Sequence, residues 1–151
     1  MIIFSNIKKL YDGTSEASAS IQEGVDLWIE EGKIHTLKPH DPRDPKGSHV
    51  CRVDCSLYTV TPGLIDCHSH VTVAGIRPED MDTMNTQAGL FYAEKILFTT
   101  LVNGGVTTVR DVGGATHFLK RMVDEGIIIG PRLKIAICML STTGGHADFR
   151  G

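Results

Sequence analysis

The chain has 151 residues, 41% hydrophobic and 22% charged, which is enough length and apolar content for an ordinary core and argues against a disordered chain. Its net charge of −3 comes from 15 basic and 18 acidic residues, with no basic stripe and no block of like charge. A nucleic-acid or other polyanionic partner is therefore not expected.

In chain order, the first sixty residues read as short strands. Ile2 to Phe4 and Ile7 to Leu10 are apolar-rich, and Tyr11-Asp12-Gly13 supplies a turn. Val25 to Ile29 and Ile34 to Leu37 flank a short Gly-containing turn and predict a hairpin. Lys38 to Ser48 holds three prolines without periodicity, the pattern of a surface loop. Thr59 to Val73 is an apolar run broken by Pro62-Gly63 and by His68-Ser69-His70. Residues 86–102 place Leu90, Ala93, Leu97 and Leu101 at helical spacing, with Asn85 as N-cap and Gly104-Gly105 as the stop. Val106 to Val109 reads as a buried strand, and Thr116 to Glu125 as a second helix ending at Gly126. Leu133 to Leu140 reads as the next strand. Strands alternating with helices predict an α/β fold with a parallel sheet, and periodicity leaves open whether that sheet is doubly wound or a barrel.

No apolar run approaches the roughly 20 residues of a bilayer span, and Met1 to Asn6 carries no basic segment followed by a long apolar one. Neither a membrane partner nor a secretory leader is expected. Cys51, Cys55, Cys67 and Cys138 sit at no disulfide spacing, and Cys67 and Cys138 lie in apolar runs where a thiol packs as a small hydrophobe. A reducing, cytoplasmic setting follows as the expectation. Cys51-x-x-x-Cys55 lacks the second pair of a metal clip, and His35, His40, His49 and His117 read as surface residues.

The residues that carry chemistry are Pro62-Gly63-Leu64-Ile65-Asp66-Cys67-His68-Ser69-His70. On a strand, positions i and i+2 face one way, with Cα atoms about 6.5 Å apart, so His68 and His70 are placed to share one ion. Imidazole suits zinc and similar borderline metals better than calcium or magnesium, making zinc the leading cofactor. Asp66 alternates onto the same face one layer deeper, as a carboxylate supporting the ligands. A bare His-x-His is weak by itself. The preceding Pro-Gly-Leu-Ile-Asp is specific, because the whole segment resembles the first barrel strand of the amidohydrolase superfamily. Gly104 to Asp111 and Gly144-Gly145-His146-Ala147-Asp148 are similar to its imidazolonepropionase-like and Xaa-Pro dipeptidase-like branch.

The resemblance implies a small N-terminal β-sandwich segment, residues 1–58, followed by the first three βα units of an incomplete TIM-type (β/α)8 barrel, residues 59–151. A full barrel takes about 250 residues. It also implies hydrolysis of a C–N bond in a small-molecule amide, peptide-like or cyclic amide substrate by a metal-activated water. His146 is then a substrate-binding candidate on a glycine-rich loop. Arg110 and Asp111 end the second strand, where they could contact substrate or make a structural ion pair around the barrel mouth; the ion pair is the ordinary reading, and Arg110 is the candidate to contact substrate. No catalytic residue is expected within this chain. The family's lysine or glutamate after the fourth strand, histidines from the fifth and sixth and aspartate from the eighth are expected beyond Gly151, so the chain by itself is expected to be inactive. A non-catalytic metal- or partner-binding protein of the same descent stays open as the alternative, and so does a homo-oligomer.

Overall fold

The computed structural model describes residues 1–14, 21–44, 47, 49–73, 75, 87–145 and 147–148. They fall into two units, Met1–Pro62 and Gly63–Gly151. Among the described residues no helix is long and apolar enough to cross a membrane.

The first unit is all β. The expected hairpin is present as β4 (Val25–Glu30) against β5 (Lys33–Pro39), antiparallel from Val25↔Pro39 to Glu30↔Lys33. Glu31 and Gly32, the two turn residues, both have positive φ (49° and 73°), as a type I′ turn requires to match the strand twist. The β5 strand runs to Pro39, two residues into the expected loop, because Lys38 and Pro39 still pair with Asp26 and Val25.

On the other side of β4 lies β1 (Ile2–Ile7), and beyond it β6 (Cys51–Asp54), parallel to β1, giving the order β5-β4-β1-β6. A second sheet orders β3 (Ile21–Gln22), β2 (Lys9–Tyr11) and β7 (Thr59–Val60). The β1 register shifts between Phe4 and Ile7, where Asn6 takes φ 53°. That irregularity changes the strand's parity, so Phe4 and Ile7 both join a core of Leu10, Val25, Leu27 and Cys55. Thr59–Val60 pairs with Lys9–Leu10, so this strand belongs with the first unit, Met1–Pro62.

The opposite side of β4 buries a carboxylate. Asp26 is fully buried and accepts from the Asn6 N–H at 2.7 Å, with His40 Nδ1 at 2.8 Å and Arg52 Nη1 at 3.7 Å. His40, expected at the surface, is instead half-buried against that charge, while His35 and His49 are exposed as expected.

In the second unit three strands run parallel in the order β10-β9-β8: β8 (Leu64–Ser69), β9 (Val106–Asp111) and β10 (Arg132–Ile135). Two helices connect them, α1 (Gln87–Val102) and α2 (His117–Asp124). Val109 and Leu133 on the sheet pack with Ala93, Leu97 and Leu119 of the helices, together with Val71, Ala115 and Ile128. Burying a leucine such as Leu97, Leu119 or Leu133 contributes about 1.5–3 kcal/mol, so this cluster sets the unit's stability.

Three sequence expectations need correction here. The buried stripe of α1 is Gly89, Ala93 and Leu97, while Leu90 is exposed and Leu101 half-buried. The expected N-cap Asn85 lies outside the described residues. The last strand stops at Ile135 and not Leu140: Cys138 N–H bonds back to the Ala136 carbonyl at 2.8 Å and Ile137 takes φ 69°, which turns the chain out of the ladder. Cys138, past that turn, is exposed, and so is Cys67 within β8; of the four cysteines only Cys55 is buried. Ile65, Arg110, Arg132 and Lys134 are exposed on the face away from the helices.

Helix α2 matches its sequence signals. The Thr116 hydroxyl accepts from Leu119 N–H at 3.2 Å as N-cap, and Gly126 at φ 73° follows the C-cap Glu125. Gly63 meets β9 so closely that a Cβ there would lie 2.1 Å from Thr107 side-chain atoms. Only glycine fits where β8 begins.

Candidate functional site

The C-terminal ends of β8, β9 and β10 carry the chemistry. Between Asp66↔Val109 and Ser69↔Asp111, β8 spends three residues against two on β9, a bulge that re-aims the side chains between them. Asp66 Oδ1 accepts from the His68 N–H at 3.0 Å inside that bulge. Its carboxylate thus holds the backbone of His68, and no contact with either imidazole is present among the described residues.

His68 is exposed and His70 half-buried, with ring centroids 5.8 Å apart and ring planes at 77°. Two imidazoles sharing a zinc ion have centroids about 5 Å apart, since each ring nitrogen lies about 2 Å from the metal. The two rings therefore stand within about 1 Å of a shared-ion spacing. Both line a cavity of about 260 Å³ with Val112, Met139, Ser141 and Ala147. His70 Nδ1 lies 2.9 Å from the Gly113 carbonyl. A carbonyl only accepts, so Nδ1 carries the proton and Nε2 is left with its lone pair free. That tautomer is the one a metal-binding histidine needs.

Asp111 organises this end of the sheet. It is fully buried, and its Oδ2 accepts from Val71 N–H at 2.8 Å while its Oδ1 accepts from Gly113 N–H at 3.0 Å and Ala115 N–H at 3.1 Å. One carboxylate thus ties the residue after His70 to the loop whose carbonyl orients that histidine. Val112 N–H to the Ser69 carbonyl at 3.0 Å closes the same corner. Among the described residues Arg110 and Asp111 do not pair with each other. Successive strand residues point to opposite faces, so Asp111 turns toward the helices and Arg110 away from them. The sequence signal for Asp111 was present in Asp-Val-Gly-Gly, a carboxylate just ahead of a tight loop rich in free N–H groups.

Arg110 is exposed and lines a neighbouring cavity of about 450 Å³ with Lys134, Ile135, Ala136 and Cys138, and the two cavities share Val112, Met139 and Leu140. His146 lies outside the described residues. The loop before it is tight, with Gly144 at φ 70° and Gly145 N–H on the Thr142 carbonyl at 2.8 Å. Among the described residues no group of three or more His, Cys, Asp or Glu side chains converges on one point.

Comparison with known proteins gives this geometry its relatives. Imidazolonepropionase of Aeromonas salmonicida (strain A449) is 44% identical over 112 residues, 67% of this chain and 25% of the relative. A crystal structure of a prolidase complexed with N-methylphosphonate-L-proline has a TM-score of 0.80 at 28% identity, covering 99% of this chain and 35% of that one. An amidohydrolase structure has a TM-score of 0.78 at 34% identity, covering 97% and 34%. The chain thus spans about a quarter of that curated relative and about a third of those structures. The model of the amidohydrolase family matches residues 59–150, more than half of the sequence and the whole of the strand-end site, and the chain belongs to that family.

Proposed function

We propose that this chain provides part of the active site of a metal-dependent hydrolase that cleaves a C–N bond in a small amide, with His68 and His70 as metal ligands and zinc as the metal. The carrying observation is the tautomer set by Gly113: a protonated Nδ1 on His70 leaves Nε2 as the ring nitrogen able to bind a metal, with the His68 ring 5.8 Å away between centroids. Two imidazoles suit zinc, and a catalytic zinc takes three protein ligands, so at least one more comes from outside the described residues. Bound there, the metal would lower the pKa of a water and polarise the scissile carbonyl. The chain's own residues orient and support. The Gly113 carbonyl fixes the His70 ring, Asp111 holds Gly113 and Val71, and Asp66 holds the His68 backbone. We assign Arg110 and His146 to substrate contact.

The same reading makes residues 1–58 part of a β-sandwich and residues 59–151 the first three βα units of a (β/α)8 barrel. Support comes from three parallel strands in sequence order with helices against one face, and from the histidines at the strand ends where such barrels place their sites. Substrate class is read from the relatives: imidazolonepropionase, a prolidase bound to a phosphonate of proline, and a Xaa-Pro dipeptidase with bound methionine.

The test is metal content and amide hydrolysis of the purified protein and of His68→Ala and His70→Ala. The expected outcome is bound zinc in the parent and its loss in both variants. Unchanged metal content in both would overturn the assignment, and bound metal without turnover would favour a non-catalytic metal-binding role.

A further inference from the structure

Helix α1 is apolar on both sides. Gly89, Ala93 and Leu97 are buried along one side, while Phe91, Phe98 and Val102 stand in water on the other, Phe91 with 76% of its surface exposed. A helix hydrophobic all round is ordinarily buried all round. The run after α2 extends the exposed patch: Ile128 joins the core, and Ile127 and Ile129 on either side of it are exposed. Gly130 holds this run against α1, since a Cβ there would lie 2.8 Å from the Leu97 side chain. Phe91, Phe98, Ile127 and Ile129 thus line one cavity of about 440 Å³, and the other side chains around it are Glu94 and Lys95. These two are the only charges in the 16 residues of α1. With Leu90 and Val102, the exposed apolar side chains amount to on the order of 500 Å². That is near the top of the range a monomer shows and more than half of the about 800 Å² per partner in a standard interface.

We infer that this face docks a second copy of the chain, with the two α1 helices side by side and parallel about a two-fold axis. Phe91 and Phe98 are about two turns apart and so lie on one line along the helix. Each residue steps about 100° round the axis, which puts Glu94 on one flank of that line and Lys95 on the other. In the parallel arrangement Phe91 meets Phe91, Phe98 meets Phe98 and Val102 meets Val102. Glu94 of each copy then comes beside Lys95 of the other, once on each flank, as charges bordering an apolar helix seam do. Reversing one helix would set Glu94 against Glu94 and Lys95 against Lys95, so charge selects the parallel pairing. A two-fold contact uses the same patch on both copies and closes at two. The inference stands on α1 and the run after α2, independently of the hydrolase reading.

The test is sedimentation of the 151-residue chain at concentrations from about 5 to about 500 µM, where a reversible monomer–dimer equilibrium is expected. Phe91→Ser changes an exposed side chain and leaves the core untouched, and it should raise the dissociation constant at least about tenfold. Phe118→Ser, also exposed but on α2 outside this face, should leave it unchanged. Glu94→Lys and Lys95→Glu should each weaken the dimer about tenfold when alone, because each change acts twice. An equimolar mixture of those two variants should associate as the parent does, since every charge again faces its opposite. All variants are compared at parent-like helical ellipticity. A chain monomeric throughout, association beyond a dimer, a dimer indifferent to Phe91→Ser or one weakened as much by Phe118→Ser would overturn the docking. So would a mixture no tighter than its two components, and a mixture tighter than the parent would mean antiparallel helices.

Discussion

Glu31 occupies a backbone conformation that suits it poorly. At φ 49° its Cβ crowds the following carbonyl, a cost of about 1–2 kcal/mol that asparagine lowers by bonding locally. Glu31→Asn is expected to raise stability by about 0.5–1 kcal/mol, and Gly32→Ala, at φ 73°, to lower it by about 1 kcal/mol. Urea unfolding read through Trp28, two residues before the turn strand ends, measures both. Asp111 offers a second test at this scale. An asparagine there keeps the shape but replaces one acceptor oxygen by a donor, leaving a buried N–H unpaired at a cost of about 2–3 kcal/mol. Since Asp111 also fixes the loop that orients His70, Asp111→Asn should weaken zinc binding by about 10–100-fold in protein that remains folded. Full zinc affinity in folded Asp111→Asn would leave Asp111 a purely structural role. The histidines were readable from their spacing and neighbours. Asp111 was readable only in part: Asp-Val-Gly-Gly signals its partners Gly113 and Ala115, but the bond to Val71, 40 residues away, has no local pattern.

At the level of elements, Gly63 tests how closely β8 and β9 must meet. With a Cβ directed into Thr107 at 2.1 Å, Gly63→Ala should cost about 1–3 kcal/mol by displacing the strand, and the histidines at its far end should lose part of their zinc affinity. A neutral Gly63→Ala in thermal and zinc titrations would show that the strands have slack. The elements legible in the sequence were those long enough to show a period: the β4–β5 hairpin, α1 and α2. The two-residue strands Ile21–Gln22 and Thr59–Val60, and Cys51–Asp54, exist only through partners distant in sequence. The Leu133–Leu140 run illustrates the opposite error, since apolar composition continued past the point where Ile137 turned the chain.

On the scale of the whole molecule, the first unit carries carboxyls that make it respond to acid. The carboxyls of Asp12, Asp41 and Asp54 are held below their ordinary range, respectively by the Thr14 N–H, the Arg43 side chain and the Ser56 N–H. All three lie in Met1–Pro62. A lowered folded pKa stabilises above the unfolded value near 4 and is lost as pH falls through the folded value, so the first unit should weaken on acidification below about pH 4. Thermal melts at successive pH values check this, and a first unit indifferent to acid would contradict it.

The chain's one tryptophan, Trp28, sits in that all-β half, whereas both described helices belong to the other. Fluorescence and helical ellipticity are therefore separate gauges, each blind to what the other sees. Superimposable curves from the two would mean that the halves melt as a single cooperative body; emission changing first in acid would mean that one half can come apart while the strand ends bearing the histidines stay assembled.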